Sequence, residues 1–436
     1  MVVAWMLMFA AGEQLQAQAV YMGVASCAGS TCHGRPEGNG AVVRQDELAH
    51  WQDPATPGGA HSRSYDALAS ARGARIAAAL GLGAATSAPA CLGCHATTGL
   101  AAPGARYRLS DGVGCESCHG AASGWIASHY SVRGTHADNV AHGMIPLDRP
   151  QVRAGVCLSC HFGSTEPGHF VTHKMMAAGH PRVSFELDLF SAMQQHWDED
   201  ADYAARKHRS DHVQLWAVGQ AEAVRRSVSL FATPGYGSQG LFPEFTFFDC
   251  HSCHRQIDDN PARMRGFETN PGRPIPFGTP PYNDENMILL SAVGHVFVPS
   301  AAAQFDGAVR DFHEAIGAGH PAPAAARLAG AAAHLEGTLA AMPAKPDAAF
   351  AVVAAIAGKA IAPRFTDYEG SVQAVMALDT LLNALVHEGR ITVGAAAGIR
   401  GSINRAYDAV RAPNAYNPPT FRAALADAAH AIEVLR

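Results

Sequence analysis

No cysteine stands outside five short motifs, although the chain has ten of them. Pairs this close in sequence close loops too small to act as useful disulfide staples. Excess positive charge is also missing: 32 Lys and Arg against 38 Asp and Glu leave a formal net charge of −6. That excludes the basic footprint of a nucleic-acid-binding protein. Beyond the N-terminus no uninterrupted apolar run reaches about 18 residues, the length that reads as a membrane-spanning helix. Ala348 to Ala362 comes closest, and Asp347, Lys359 and Arg364 bound or interrupt it. Strand signals are weak throughout, and no repeat of fixed period marks a solenoid.

What is present is a cysteine pair followed by histidine, five times. Four are C-x-x-C-H: Cys91-Leu-Gly-Cys94-His95, Cys115-Glu-Ser-Cys118-His119, Cys157-Leu-Ser-Cys160-His161 and Cys250-His-Ser-Cys253-His254. The other one, Cys27-Ala-Gly-Ser-Thr-Cys32-His33, is the first in chain order, ahead of those at Cys91, Cys115, Cys157 and Cys250, and has two extra residues between its cysteines. C-x-x-C-H is the attachment signature of c-type haem. The thiols add to the vinyl groups as thioethers, and the adjacent histidine is placed to bind iron from one face. Zinc also takes Cys and His, but it does not demand a histidine directly after every second cysteine. The pattern therefore predicts five covalent haem c groups. His33, His95, His119, His161 and His254 are the proximal ligands. The longer Cys27/Cys32 gap can span a porphyrin edge if its loop bulges, and Gly29 is read as the residue that permits this.

An apolar stretch from Met1 to Ala11, then Ala17-Gln18-Ala19, reads as a secretory signal with its cleavage site, although no positive n-region precedes it. Residues 1–19 are thus read as a signal peptide, 20–280 as a pentahaem cytochrome domain and 281–436 as an alanine-rich helical domain. The mature chain is expected outside the cytoplasm, periplasmic or extracellular, with no membrane span. The fold expected is mainly α. In the haem domain porphyrin fills the core and regular structure is sparse; an α-helical bundle follows. Its helices are placed at 285–298, 301–317, 322–341, 347–362, 368–388, 393–410 and 418–435, with breakers such as Pro321, Pro343, Pro363, Gly389 and Pro413 between them. The connection at 270–281, rich in Pro and Gly, is not helical. In the haem half, periodicity predicts helices over Tyr65–Leu82, Val183–Trp197 and His212–Phe231.

A six-coordinate c-haem needs a second axial ligand, usually His or Met. Met144, Met175 and Met176 are candidates, but 23 histidines favour His. The chosen distal candidates are His61, His129, His136, His173 and His180, which interleave with the motifs in glycine-rich loops. His50, His142, His169, His196, His208, His212 and His251 are held in reserve. Those of the C-terminal half, including His295 and His313, read as structural or exposed.

The motif series, "HSRSYDALAS" from His61, "DGVGCESCHGAASGWIASHY" from Asp111, and "CLSCHFG…FVTHKMMAAGHPRVSFELD" from Cys157 resemble the exported multihaem cytochromes c. That superfamily includes hydroxylamine oxidoreductase, its tetrahaem electron acceptor and the pentahaem nitrite reductases. The resemblance spans roughly residues 21–260. It implies closely stacked haems, mostly with two histidine ligands, forming an electron wire. It does not reach the helical half. Nitrite reductases of this kind carry a C-x-x-C-K catalytic motif, whereas every motif here ends in His. Hydroxylamine oxidoreductases have more haems and a cross-linking tyrosine, for which Tyr130 and Tyr203 have only proximity in their favour.

Two functions follow. One is electron transfer between redox partner proteins, with the helical half as a candidate docking module. The other is a redox enzyme for a small nitrogen or sulfur compound, which needs one open iron. The Cys27/Cys32 or Cys250/Cys253 haem is then the odd one out, with Arg153, Lys174 and Arg182 as possible anion contacts.

Overall fold

The computed structural model describes residues 19–38, 44–99, 103–207, 209, 211–239, 242–254, 273–275, 279–343, 345, 347–360, 368–412 and 415–436. Residues 1–18 of the expected signal peptide and His208 lie outside these. The described chain is mainly α, as its sequence predicts. Its only paired strands among the described residues are Ser238–Gln239 and Phe242–Pro243, a small antiparallel hairpin.

The seven helices of the C-terminal half form where their periodicity places them: Glu285–Phe297, Pro299–Gly317, Ala322–Ala340, Ala348–Ala360, Tyr368–His387, Val393–Ala409 and Pro418–Glu433. Their starts follow local chemistry. Pro299 and Pro418 open helices at a position where the missing N–H costs nothing. Thr392 and Asn417 accept the amides of Ala395 and Thr420 as N-caps. These helices bury Phe305, Phe312, Leu328, Leu381 and Phe421 in one core.

That core does not stop at residue 280. The His212–Ala232 helix, capped by Asp211, is buried on nearly every side, Gln220 and Glu222 included. It packs most extensively on Ala322–Ala340. Trp216, Ala217, Val224 and Val228 belong to the same cluster as Phe312 and Leu328. On its other flank Leu215, Val218 and Ala223 meet Ala154, Leu158 and Leu187. The helix thereby joins the fourth motif to the C-terminal body. The connection closes the same joint. Asp249 N–H donates to Pro281 O at 2.8 Å and Asn283 N–H to Phe247 O at 2.9 Å.

The haem half is built from short pieces. The helix expected over Tyr65–Leu82 is two, Ser64–Ala69 and Ala71–Leu80. Ser70 breaks it by adopting extended backbone and capping the second helix through Gly73 N–H. The helix expected over Val183–Trp197 is only Leu187–Met193. Glu186 caps it through the amides of Asp188 and Leu189, and Gln194 ends it. Apolar clusters here are small; the largest local one outside the His212–Ala232 joint gathers Leu68, Ala77, Ala85, Ala88 and Cys91. No helix among the described residues is long and apolar enough to cross a membrane.

Candidate haem-binding sites

Four motifs start on short helices. Pro89 opens Pro89–His95 and Pro150 opens Pro150–His161; Cys115–His119 and Cys250–Cys253 are shorter. One helical turn puts both cysteines of a C-x-x-C pair on the same face, with the histidine next to it. The first motif is not helical. Cys32 N–H donates to Gly29 O at 2.8 Å and His33 N–H to Cys27 O at 3.2 Å, so the two extra residues are taken up in a tight loop. Gly29 is not the residue that permits it. A Cβ there would meet only the Cys32 side chain, Sγ at 3.4 Å and Cβ at 3.8 Å. The close approach is at Gly34, where a Cβ would sit 2.1 Å from Ala28 O. All ten cysteines are free of disulfides.

Each motif histidine faces a second histidine. The ring centroids of His33 and His129 are 5.9 Å apart and nearly parallel, at 15°. His161 faces His61 at 5.9 Å, His95 faces His180 at 6.3 Å, His119 faces His196 at 6.2 Å, and His254 faces His173 at 6.1 Å. These separations vary little, although the interplanar angles run from 15° to 90°. One metal held between two imidazoles would account for the spacing. Two bonds of about 2 Å, each extended by about 1 Å to a ring centre, span roughly 6 Å. The donor set therefore fits five iron centres, each between two histidines.

Hydrogen bonds set which nitrogen faces inward. Nδ1–H of His95 donates to Ser64 O at 2.8 Å, that of His180 to Pro181 O at 2.7 Å, and that of His196 to Gln194 O at 2.8 Å. A carbonyl can only accept, so the proton is on Nδ1 and the Nε2 lone pair is free for a metal. His33 Nδ1 pairs in the same way with Glu47 Oε2 at 2.9 Å, and Glu47 raises the His33 pKa. Elsewhere burial favours the neutral ligand form. It pushes His119 down to about 3 and His161 to about 4. It also lowers His61, His129, His180 and His196.

Four of the five distal candidates read from the sequence stand opposite a motif histidine: His61, His129, His173 and His180. His136 does not. It begins the His136–Ala141 helix, and its Nε2 lies 3.2 Å from Asp148 Oδ1. The position facing His119 is taken by His196, which the sequence reading held in reserve. Extending the Val183 helix through Trp197 had placed His196 inside a regular element. The real helix ends at Met193, and the turn that follows directs His196 inward beside Trp197, 5.3 Å away between ring centroids. Of the other reserves, His212 pairs with Asp188 at 2.9 Å, His169 Nδ1 lies 3.7 Å from Cys160 Sγ, and His142 bonds Asp138 O at 2.6 Å. Sequence reasoning also passed over Glu116, inside the third motif. Its carboxylate is buried and accepts from Met22, Gly23 and Ala122 N–H at 2.8, 2.7 and 2.7 Å. It ties the segment leading into Cys27 to the third motif.

The motifs are packed together. Cys94 Sγ reaches the Cys160 carbonyl O at 3.9 Å. The Cys27 and Cys115 thiols are close enough to shift each other's pKa, and Cys118 lies near Cys157 and Cys160. The first motif therefore abuts the third, the third the fourth, and the fourth the second.

The family described as cytochrome c554 and c-prime matches residues 26–120. That is under a quarter of the chain, but it contains the first three motifs, the atypical Cys27–His33 among them, and His61. Comparison with curated proteins and with solved structures gave no match. The matched segment supports a c-type cytochrome involved in electron transfer, and the family implies covalently bound haem c.

Proposed function

We propose that the protein is a pentahaem electron-transfer cytochrome in which every iron has two histidine ligands. The observation that carries this reading is the set of five ring pairs at 5.9–6.3 Å. The axial pairs are His33 with His129, His95 with His180, His119 with His196, His161 with His61, and His254 with His173. Haem c supplies a one-electron couple at each position. Cys27 and Cys32, Cys91 and Cys94, Cys115 and Cys118, Cys157 and Cys160, and Cys250 and Cys253 hold the five porphyrins.

A histidine on both sides occupies the position a substrate needs, so the pairing favours electron relay over substrate chemistry. The cysteine contacts support a relay running first, third, fourth, second motif. The segment from His173 to Arg182 extends it. It carries the distal histidines of the fifth and second positions, and Arg182 reaches Cys250. Redox partner proteins deliver and remove the electrons. Thioether formation requires exported, reduced thiols, which supports placement in the periplasm or outside the cell.

The C-terminal helices act as a brace in this reading. Gln373 donates to Phe185 O at 3.1 Å, and Thr380 to Glu186 Oε2 at 2.7 Å. Phe185 in turn stacks on His161, with ring centroids 4.5 Å apart.

The test is intact mass and ferric EPR of the purified protein. Five haem additions and an entirely low-spin spectrum are expected. Four additions remove the Cys27/Cys32 site from the reading, and a stoichiometric high-spin signal removes one ring pair.

A further inference from the structure

Arg182 makes three contacts from one side chain. Its Nη1–H donates to Cys250 Sγ at 3.2 Å. Its Nε faces Glu369 Oε2 at 3.2 Å, and its Nη2 lies 3.9 Å from Glu285 Oε1. Both carboxylates are buried. They come from two helices of the C-terminal body, Tyr368–His387 and Glu285–Phe297. A third buried carboxylate, Asp249, precedes Cys250 and accepts from Ser252 Oγ–H at 2.5 Å.

This arrangement has no role in holding a porphyrin. The thioethers and His254 with His173 do that. Nor is it an ordinary surface ion pair, because the guanidinium is aimed at a cysteine sulfur. Cys250 Sγ stands for a thioether sulfur in the loaded protein. That sulfur has lost its proton but keeps its lone pairs, so it still accepts from Arg182.

A guanidinium stays protonated at any ordinary pH. It is therefore a fixed positive charge beside the attachment point. Reduction removes one positive charge from the iron centre, so a fixed cation nearby favours the reduced form. A hydrogen bond to the sulfur acts in the same direction by withdrawing electron density. Hydrogen bonding and burial around the ligands are the levers by which a protein sets a haem potential.

We infer that Arg182 tunes the fifth haem, raising its reduction potential, and that Glu369 holds the guanidinium in place from the C-terminal body. The inference rests on haem attachment at Cys250 and Cys253. It gives the C-terminal helices a part in the redox chemistry, because they supply the carboxylates that fix a tuning charge.

The test is a spectropotentiometric titration of the full chain at pH 8. The midpoint that disappears in the Cys250→Ser, Cys253→Ser protein identifies the fifth haem. If that double variant loses no haem mass, the attachment reading fails, whatever Arg182 does. With attachment established, Arg182→Gln is expected to lower that one midpoint by about tenfold in the reduction equilibrium, about 59 mV for one electron. The other four midpoints stay in place. Arg182→Lys keeps the charge without the fork geometry and gives a smaller fall. Glu369→Gln removes a negative charge but keeps an amide oxygen that still accepts from Arg182 Nε, so it raises the same midpoint and guards against a folding failure of the arginine variants. Unmoved midpoints in Arg182→Gln protein that retains five haems, an equal shift of all five, or a fall in Glu369→Gln each overturn the inference.

Discussion

His119 and His196 face each other with ring centroids 6.2 Å apart and planes at 83°, although 76 positions separate them in the chain. Burial lowers both their pKa values, and the Gln194 carbonyl fixes the His196 tautomer with Nε2 inward. This pair carries the sharpest ligand prediction. His196→Ala should keep five haems by mass, turn one iron high-spin and open one carbon monoxide site. His136→Ala should do neither, because that ring rests on Asp148. His61→Ala and His180→Ala should each behave like His196→Ala. A low-spin His196→Ala protein with no carbon monoxide site would return the third haem's second ligand to the reserve histidines.

Glu116 should be a stability residue. Its carboxylate satisfies three backbone amides from two segments. Bonds to a charged acceptor contribute about 1.5–3 kcal/mol each, and orphaned buried donors cost about 1–3 kcal/mol. Glu116→Ala should lower the denaturation midpoint by an amount equivalent to about 3 kcal/mol or more. Glu116→Gln keeps one acceptor oxygen and should cost less. Urea denaturation followed at the Soret band checks both.

Glu336 gives a pH dependence of known sign. Burial first, and the Glu222 carboxylate second, raise its pKa from 4.5 to about 7. The folded chain holds this proton more tightly than the unfolded chain between those values. Stability therefore falls as pH rises from 4.5 towards 7 and levels off above. Glu336→Gln should remove that part of the slope and make the protein more stable than the wild type at pH 8. Urea midpoints at pH 5 and pH 8 measure it. An unchanged slope in the variant would assign the dependence to another group.

Truncation near residue 275 should not yield a well-folded haem domain. Removing the later helices uncovers Trp216, Ala217, Val224 and Val228 on the His212–Ala232 helix, and takes away Glu369, Gln373 and Thr380 from the 182–186 segment. The truncated protein should bind a hydrophobic dye and melt without a cooperative transition. A cooperative melt with unchanged haem midpoints would show that the two halves are independent.

The chemistry of the proximal side was legible in the sequence because it is local. A cysteine pair followed by histidine puts three donors within a turn or two of backbone, and five repetitions with no cysteine left over admit one reading. The C-terminal helices were legible for the same reason: Pro299, Thr392, Asn417 and Pro418 mark their starts, and an alanine-rich apolar periodicity runs between. The distal side was not, because a second axial ligand is chosen by where the chain returns in space. Nothing local distinguishes His196 from His136. One follows a helix that stops three residues earlier and turns inward; the other opens a helix and rests against Asp148. Nor could composition show that the core runs through residue 280. The sequence by itself determined the helical class, and it pointed to the cofactor chemistry and to the proposed attachment residues. Only the tertiary structure decided which histidines meet, which motifs abut, and that Arg182 joins the C-terminal body to the fifth attachment site, since each of these depends on contacts between segments far apart in the chain.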